Sequence, residues 1–246
     1  ENHWSMLRGH QLAMIFQDPQ AALDPVFTIG QQMLRVVQRH LAVDRRGARS
    51  IASASLAECG LNDGDRILAS YPHQLSGGMR QRVMVAMALS CKPAVLIADE
   101  ATSALDISSR DQVLSLLQQA AKRYGTAILL ISHDLAAVAR ICHRTLVMYA
   151  GRIIESGPTE RLLSQPRHPY TAALLQATPR IGLPRPQPIE AIPGKLHALH
   201  LRLTGCAFAE RCSSATDLCR RQLPALKPDE HAHFQACHHP LEAVRS

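Results

Sequence analysis

Aromatic residues, long apolar runs and a basic leader are scarce or absent in this chain of 246 residues. Phe, Trp and Tyr together make up only 4% of it, which argues against the stacked aromatic platforms that bind single-stranded nucleic acid. No apolar run reaches the roughly 18 uncharged residues of a membrane-spanning helix. The first residues, 1–4, include no initiator Met and precede no apolar stretch. They therefore do not form a signal peptide, and we expect the chain to begin inside a domain.

Composition favours a folded globular protein. Apolar residues make up 46% of the chain and charged residues 19%, enough for a real core and too apolar for global disorder. The net charge of +7 suits an acidic partner such as a nucleotide, nucleic acid or anionic membrane. The Lys and Arg residues are scattered, however, so a solvated basic surface is the preferred interpretation.

Strands and helices alternate along the first two thirds of the chain, which predicts an α/β fold with a parallel sheet. Residues 94–98 are entirely apolar, as expected of a strand that is buried on both faces. Residues 63–71 are predicted to be a short connector after a helix stop at Gly60. The other predicted strands are 11–17, 126–131 and 145–149, and the predicted helices are 28–41, 47–59, 77–91, 108–124, 134–143 and 168–177.

Composition changes near residue 157. Of the 15 prolines, 11 lie in 151–246, so this part is expected to be a separate module with an extended stretch over 179–195. A small cysteine-bearing unit is expected at 206–237. The predicted domains are therefore 1–157 and a C-terminal extension over 158–246.

Two carboxylates follow the apolar strand that ends near residue 98. In an open α/β sheet, ligands bind at the carboxyl ends of the strands. Asp99 is thus a candidate ligand for Mg²⁺, and Glu100 is a candidate base that polarises an attacking water. The alternative is a solvated acidic loop, because acidic pairs after strands are common.

A Ser-Gly-Gly sequence opens the predicted helix over 77–91. Gly77 and Gly78 let backbone N–H groups approach an anion, the helix directs its positive end at it, and Ser76 adds a hydroxyl donor. A plain Ser cap with a Gly pair is the alternative, but it does not account for the strand and paired carboxylates that follow.

Two polar residues follow other apolar strands. His133 is expected at the same sheet edge as Asp99 and Glu100, although a lone His in such a place is more often structural. Gln17 follows the first strand and precedes a Pro turn. Its amide can bond a water and a metal-bound ligand together, but the signal is weak by itself.

Together, in this order and spacing, these motifs resemble the ATP-binding subunits of ABC transporters over about residues 11–157. The resemblance assigns the Q-loop glutamine to Gln17, the signature loop to 75–79, the Walker B aspartate and catalytic glutamate to Asp99 and Glu100, the D-loop with Asp106 to 103–106, and the switch histidine to His133.

The resemblance implies a P-loop NTPase-type parallel sheet with a helical subdomain at about 27–92. It implies ATP and Mg²⁺ as cofactors, with two ATP sandwiched between two such subunits in a homo- or heterodimer. It also implies two transmembrane permease subunits, an external solute-binding protein, a peripheral place on the cytoplasmic face of the inner membrane, and no nucleic-acid partner. The region after Gln17, with the helices of 28–60, is expected to receive a coupling helix of the permease.

This sequence departs from the family pattern in two ways. No phosphate-binding loop of the form G-x-x-x-x-G-K-S/T occurs in it; in the family this Walker A loop lies upstream of the Q-loop. The chain is therefore expected to be N-terminally truncated and to bind and hydrolyse ATP poorly alone. In addition, Ala101 occupies the position after Glu100 where the family usually has Pro, which loosens the turn without predicting inactivity.

Four cysteines, Cys206, Cys212, Cys219 and Cys237, lie within about 30 residues of the tail. In a cytosolic protein such thiols favour a metal site over disulfides. Their spacing fits neither a common zinc pattern nor a ferredoxin run, so Zn²⁺ and an iron–sulfur cluster compete evenly on chemistry. The tail's main apolar residues, Leu218, Leu223, Leu226 and Phe234, predict a core too small to fold without metal.

The tail also resembles the C-terminal extension of dipeptide and oligopeptide importer ATPases. Some members of that group hold a 4Fe–4S cluster on four such cysteines, so the resemblance implies one here, with Zn²⁺ as the alternative metal. The remaining alternative is that the four cysteines are unligated thiols in a folded tail. The segments that carry this resemblance are 14–19, 71–75, 168–171, 192–194, 205–208 and 211–212.

Two other functions compete with an active importer ATPase. One is an inactive, truncated module that only docks on a permease. The other is a soluble ABC ATPase of DNA repair or translation, but those proteins typically carry coiled-coil inserts or tandem ATPase halves, and neither occurs in this sequence.

Overall fold

The computed structural model describes residue 4 and residues 7–103, 105–178, 192–194, 204–229 and 231–242. Within the chain, contacts separate two compact units, residues 1–134 and 135–246. Most of the Pro-rich stretch predicted to be extended, 179–195, lies outside the described residues, as does Ala104. No described helix has both the length and the apolar character needed to cross a membrane.

A three-stranded parallel sheet forms the centre of the first unit. Its strands, in the order β1-β2-β3, are β1 (Leu12–Ile15), β2 (Val95–Asp99) and β3 (Ala127–Ile131). The register pairs Ile15 with Ala98 and Asp99 with Ile131. Because the strands are parallel, their carboxyl ends meet at one edge of the sheet. The α/β class and the three strands are therefore confirmed.

Four helices of the first unit begin at residues with capping side chains. Thr28 and Gln31 form a capping box, and Asp44, Ser76 and Asp106 each accept a backbone N–H of the first turn. Such caps satisfy donors that the helix itself leaves free. The helices are α1 (Pro19–Ala22), α2 (Ile29–His40), α3 (Arg45–Glu58), α4 (Gly64–Ala69), α5 (Gly77–Leu89) and α6 (Ile107–Tyr124).

The prediction of a connector over 63–71 was wrong, because α4 occupies most of it. This helix buries Ile67 and Leu68 and lies against α2. A Cβ on Gly30 of α2 would come within 2.7 Å of the Leu68 carbonyl oxygen, so the glycine permits the close approach. Six residues are too few for helical periodicity to be recognised in a sequence. The helix stop predicted at Gly60 is confirmed, since α3 ends at Glu58 and Gly60 has a φ of +71°.

The second unit contains a four-stranded antiparallel sheet formed by β4 (Arg144–Tyr149), β5 (Arg152–Pro158), β6 (Lys227–Pro228) and β7 (Phe234–Gln235), in the order β4-β5-β7-β6. Strand β5 was not predicted, and neither was the helix that follows it. Because β5 pairs with β7 through Ser156 and Phe234, strands from both sides of residue 157 share one sheet. The domain boundary at 157 stays a prediction. The other elements are α7 (Leu135–Ile141), α8 (Thr159–Ser164), α9 (Pro169–Gln176) and α10 (Asp217–Arg221).

An aromatic cluster, rather than the tail leucines, is central to the core of the second unit. Tyr149, Tyr170 and Phe208 meet edge to face, with ring centroids 4.7–5.4 Å apart. Leu162 is fully buried beside them. By contrast, Leu218, Leu223 and Leu226 are 40–45% exposed, so the expectation that they form the tail's core was wrong. Aromatic pairs of this geometry stabilise a core beyond their buried area.

A fully buried Glu–His pair joins β5 to the loop before β7. His233 Nε2 and Glu155 Oε1 lie 2.7 Å apart, and both side chains are completely buried. The same carboxylate accepts the backbone N–H groups of Arg167 and His168. Three donors from two distant segments thus depend on one carboxylate.

Replacing Glu155 with Ala should strongly destabilise the chain, because it leaves His233 and two backbone N–H groups buried without their acceptor. We expect a loss of about 3–5 kcal/mol in the free energy of unfolding, measured by urea denaturation. The control is Asp217→Ala, which removes an exposed 3.2 Å pair with Arg220 and should cost less than about 1 kcal/mol. Equal losses in the two variants would contradict the importance of the buried pair.

Candidate active site

Three polar side chains converge at the carboxyl edge of the parallel sheet. Gln17 lies two residues beyond β1, Glu100 directly follows β2, and His133 lies two residues beyond β3. Gln17 Nε2 is 3.4 Å from Glu100 Oε2, and His133 Nδ1 is 3.1 Å from Glu100 Oε1. The structure thus brings together the three residues that the sequence analysis proposed as catalytic.

The Glu100 carboxylate lies between an amide donor and an imidazole. The side chain of His133 is 74% exposed and that of Glu100 only 27%, so the carboxylate is recessed behind an accessible ring. A carboxylate held in this way can accept a proton from a water, while neighbouring donors orient the reactants. The arrangement is suited to hydrolysis at the open edge of the sheet.

The backbone at Glu100 has a conformation that is unusual for a non-glycine residue, with a φ of +45°. The turn is held by the Glu100 N–H, which donates to the Ile131 carbonyl at 2.9 Å, and by Ser103, whose N–H and hydroxyl both donate to the Glu100 carbonyl. Strained residues persist only when their surroundings hold them, and they concentrate at functional sites. The turn therefore directs the carboxylate at some cost in stability.

Asp99 is the last residue of β2 and is half-buried. Among the described residues, no group of three or more Cys, His, Asp or Glu side chains is arranged to hold a metal ion. Mg²⁺ usually binds through one or two carboxylates together with waters and substrate phosphates, so an all-protein cage is not required for it. The role of Asp99 as a Mg²⁺ ligand stays a prediction.

The Ser76–Gly78 segment lies at the start of α5. The Ser76 hydroxyl accepts the Met79 N–H at 3.3 Å, and both Ser76 and Gly77 are exposed. A Cβ on Gly77 would meet no described atom within 4 Å. Packing inside the described part of the chain therefore does not require this glycine, whereas close approach of an anion to the backbone would favour it.

Asp106 caps α6 instead of pointing freely to solvent. Its carboxylate accepts the Ser109 N–H at 3.0 Å and the hydroxyls of Ser109 and Ser108 at 2.7 and 2.8 Å. These hydrogen bonds hold the pKa of Asp106 well below its usual range. Its predicted part in cofactor binding stays a prediction.

An ion pair next to His133 was not predicted from the sequence. Arg110 of α6 lies 2.7 Å from the carboxylate of Asp134, and the Asp134 N–H donates to the Ser132 hydroxyl. Together these contacts fix the loop that carries the imidazole. The pair joins residues 24 positions apart, so no local sequence pattern reveals it.

All four tail cysteines, Cys206, Cys212, Cys219 and Cys237, line one cavity together with His168. Burial raises the pKa of the Cys237 thiol to about 11, and the nearby cysteines add to the shift. Burial also raises the pKa of Cys206. The convergence on one cavity is what a shared ligand requires.

The described side chains around this cavity are not arranged as metal ligands. Burial lowers the pKa of His168 to about 4, so its ring is neutral near pH 7. Its Nδ1 accepts the Tyr170 N–H, which leaves Nε2 carrying the hydrogen. Nε2 is buried without a hydrogen-bond partner in the described structure. A buried N–H donor without an acceptor, beside four thiols, indicates that the cavity can hold a group that accepts a hydrogen bond.

Comparison with known proteins gives relatives over nearly the whole chain. A probable peptide ABC transporter ATP-binding protein of Sinorhizobium fredii is 44% identical over 99% of this chain and 73% of its own length. The probable D,D-dipeptide transport ATP-binding protein DdpD of Escherichia coli is 47% identical over 97% and 73%. The chain belongs to the peptide-type ABC transporter ATP-binding proteins.

Family models and a solved structure agree with this membership. The model described as "ABC transporter" matches residues 2–103, and that described as "Oligopeptide/dipeptide transporter, C-terminal region" matches residues 154–219. The dimeric structure of MJ0796, a bacterial ABC transporter cassette, is 25% identical, with a TM-score of 0.57 over 65% of this chain and 67% of that one. The P-loop NTPase-type fold and the family's ATPase activity, which uses ATP and Mg²⁺, follow from this membership.

Replacing Glu100 with Gly should give a more stable ABC subunit than replacing it with Ala. Both variants remove the carboxylate, but only Ala keeps a Cβ at a φ of +45°. We expect the Gly variant to exceed the Ala variant by about 1 kcal/mol in the free energy of unfolding, measured by thermal and urea denaturation. An Ala variant as stable as the Gly variant would show that the turn carries no strain.

Proposed function

We propose that this chain belongs to the ATP-hydrolysing subunit that powers an importer of dipeptides, oligopeptides or related solutes. The observation that carries the proposal is the Glu100 carboxylate, held between Gln17 and His133 at the ligand-binding edge of the sheet. The printed names of the relatives, which are peptide and D,D-dipeptide transport proteins, support the solute class.

Each site residue has a distinct part in the proposed reaction. Glu100 polarises the attacking water, and His133 and Gln17 hold the water and the transferred phosphoryl oxygen in line. Asp99 would hold Mg²⁺, which neutralises charge on the phosphates. Ser76, Gly77 and Gly78 present an anion-binding helix end to nucleotide, and Asp106 keeps the start of α6 in place behind it.

A complete site in this proposal requires more than these 246 residues. They contain no G-x-x-x-x-G-K-S/T loop, and the backbone N–H groups and Lys of such a loop are the main phosphate contacts. We therefore propose that the isolated 246-residue polypeptide binds and hydrolyses ATP poorly. An inactive docking module on a permease is the alternative that this feature favours.

The proposed partners are a second ATPase subunit, two permease subunits and an external solute-binding protein. The dimeric state named for MJ0796 supports the first of these. In the dimer, the Ser76–Gly78 segment of one subunit would complete the ATP site of the other.

The proposed location is peripheral, on the cytoplasmic face of the membrane. A nucleic-acid role is disfavoured by the scarcity of aromatic residues, and the match of 154–219 to a transporter C-terminal region favours transport.

In the full-length subunit assembled with its partners, Glu100→Gln should preserve ATP binding and abolish turnover. The amide keeps the shape of the side chain but is not a base, and loss of general base catalysis slows a reaction by roughly 10²–10⁴-fold. Phosphate release and equilibrium ATP binding are measured on the same preparation, and the isolated 246-residue polypeptide serves as the blank. Near-normal hydrolysis by the variant would show that Glu100 is not the base of the reaction, and the proposed function would then be wrong.

We further propose that the four tail cysteines hold one metal centre of structural, rather than catalytic, role. The support is their position around a single cavity with the unsatisfied Nε2 of His168. A 4Fe–4S cluster is preferred, on resemblance to peptide importer ATPases, and Zn²⁺ is the alternative. Either group would crosslink segments of the tail and add to its stability.

Anaerobic purification should yield a brown protein with iron and sulfide in a ratio that fits one cluster per chain. Any single Cys→Ser change among the four should remove the colour and make the tail sensitive to protease, because each thiolate is a ligand. Cys59→Ser is the matched control, since this buried cysteine lies in the first unit. Zinc without iron would select the alternative metal, and four freely alkylated thiols in the native protein would exclude both.

A further inference from the structure

The side chain of Gln81 lies inside the protein and contacts the turn that carries Glu100. Gln81 is only 2% exposed, and its Nε2 donates to the Ala101 carbonyl at 2.7 Å. Gln81 is a residue of α5, and Ala101 directly follows Glu100. A buried helix side chain thus fixes the backbone at the residue after the proposed base.

This contact ties the turn to a different element from the contacts already described. The Glu100 N–H is held by Ile131 of β3, and the Glu100 carbonyl is held by Ser103 within the turn itself. Gln81 approaches from α5 and holds the next peptide group. Because φ at Glu100 is +45°, the turn depends on such external contacts to keep its conformation.

A second contact lies between the first turn of α5 and the segment after Glu100. A Cβ on Gly78 would come within 3.2 Å of the Ser109 hydroxyl, and that hydroxyl donates to Asp106 at 2.7 Å. Helix α5 is therefore adjacent to the segment after Glu100 at two points. Gln81 contacts Ala101 at the start of that segment, and Gly78 approaches Ser109 further along it.

Ala101 makes the Gln81 contact more important in this chain. A Pro at this position would restrict the backbone by its ring, whereas Ala leaves the turn to be fixed by hydrogen bonds. The Ala101 side chain is buried and bears no polar group. Gln81 therefore holds this residue through its backbone carbonyl.

We propose that Gln81 is a positioning residue, which holds the turn of Glu100 and makes it rigid with the helix that carries Ser76–Gly78. This inference rests on the proposed ATPase function. Because the Ser76–Gly78 segment would contact nucleotide of the opposite site, Gln81 also makes the position of Glu100 respond to occupancy of that site. In this proposal Gln81, which is buried, acts through the turn and not directly on the reactants.

The test compares Gln81→Met with wild type in the full-length subunit assembled with its partners. Met keeps the length and volume of Gln but has no N–H donor. We expect kcat for ATP hydrolysis to fall roughly ten- to hundredfold, as for a misplaced catalytic group, while ATP binding and KM stay essentially unchanged. This split between kcat and KM is not expected of a merely structural residue.

The matched control is Thr126→Val. Thr126 is 3% exposed, and its hydroxyl donates to the Pro93 carbonyl at 2.8 Å. It is thus a buried side-chain-to-backbone bond of the same kind, but at the amino-terminal edge of the sheet. The control should lower the melting temperature about as much as Gln81→Met and leave kcat unchanged.

Combining Gln81→Met with Ala101→Pro tests whether Gln81 acts by holding the turn. Ala101→Pro restricts the same turn through the proline ring, so the Gln81→Met, Ala101→Pro double variant should regain most of the lost kcat. If Gln81→Met does not fold, Gln81→Asn, which keeps the amide but is too short to reach Ala101, takes its place in both backgrounds.

Three results would overturn the inference: a kcat of Gln81→Met within twofold of wild type, an equal loss in Thr126→Val, or an undiminished loss in the Ala101→Pro background. The Glu100→Gln variant separates this failure from failure of the proposed function. If Glu100→Gln abolishes turnover and Gln81→Met does not, only the positioning role of Gln81 is wrong.

Discussion

The parallel register of β1, β2 and β3 is the constraint on which the candidate site depends. The pairing of Ile15 with Ala98 and of Asp99 with Ile131 brings the strand ends to one edge. Glu100 then meets Gln17, which lies 83 positions before it in the chain, and His133, which lies 33 positions after it. A slip of one residue in β2 would turn its side chains to the opposite face and remove Glu100 from its neighbours.

The turn at Glu100 shows how the fold sets stability against function. A left-handed backbone at a non-glycine residue is unfavourable, yet here it brings a half-buried carboxylate next to an exposed imidazole. The hydrogen bonds that hold the turn involve three parts of the fold: Ser103 within the turn, Gln81 of α5, and Ile131 of β3, which accepts the Glu100 N–H. Each holds the peptide backbone and leaves the carboxylate oxygens for Gln17 and His133, so the support does not compete with the chemistry.

The sequence predicted those elements whose signals are local and strong. The strand at 94–98 is a continuous apolar run, and the helices after Thr28 and Ser76 start at capping residues. Helix α4 and strand β5 were missed, because short elements show too little periodicity. Strand β5 also contains Glu155, a buried carboxylate whose partner, His233, lies 78 residues later. A buried polar residue paired over that distance looks the same in a sequence as an exposed one.

The same limit applies to the site itself. Sequence reasoning located the residues at the sheet edge, since each follows an apolar strand, but it did not detect the residues that hold them. Arg110 and Gln81 act through partners 24 and 20 residues away, and nothing near either residue in the sequence marks it as more than a helix position. Helix α5 illustrates the consequence. Its exposed start, Ser76–Gly78, is readable as an anion-binding motif, whereas its buried face carries Gln81, which donates to the turn after Glu100. Both features lie on one helix, so a displacement of its exposed start would also disturb the buried contact of Gln81.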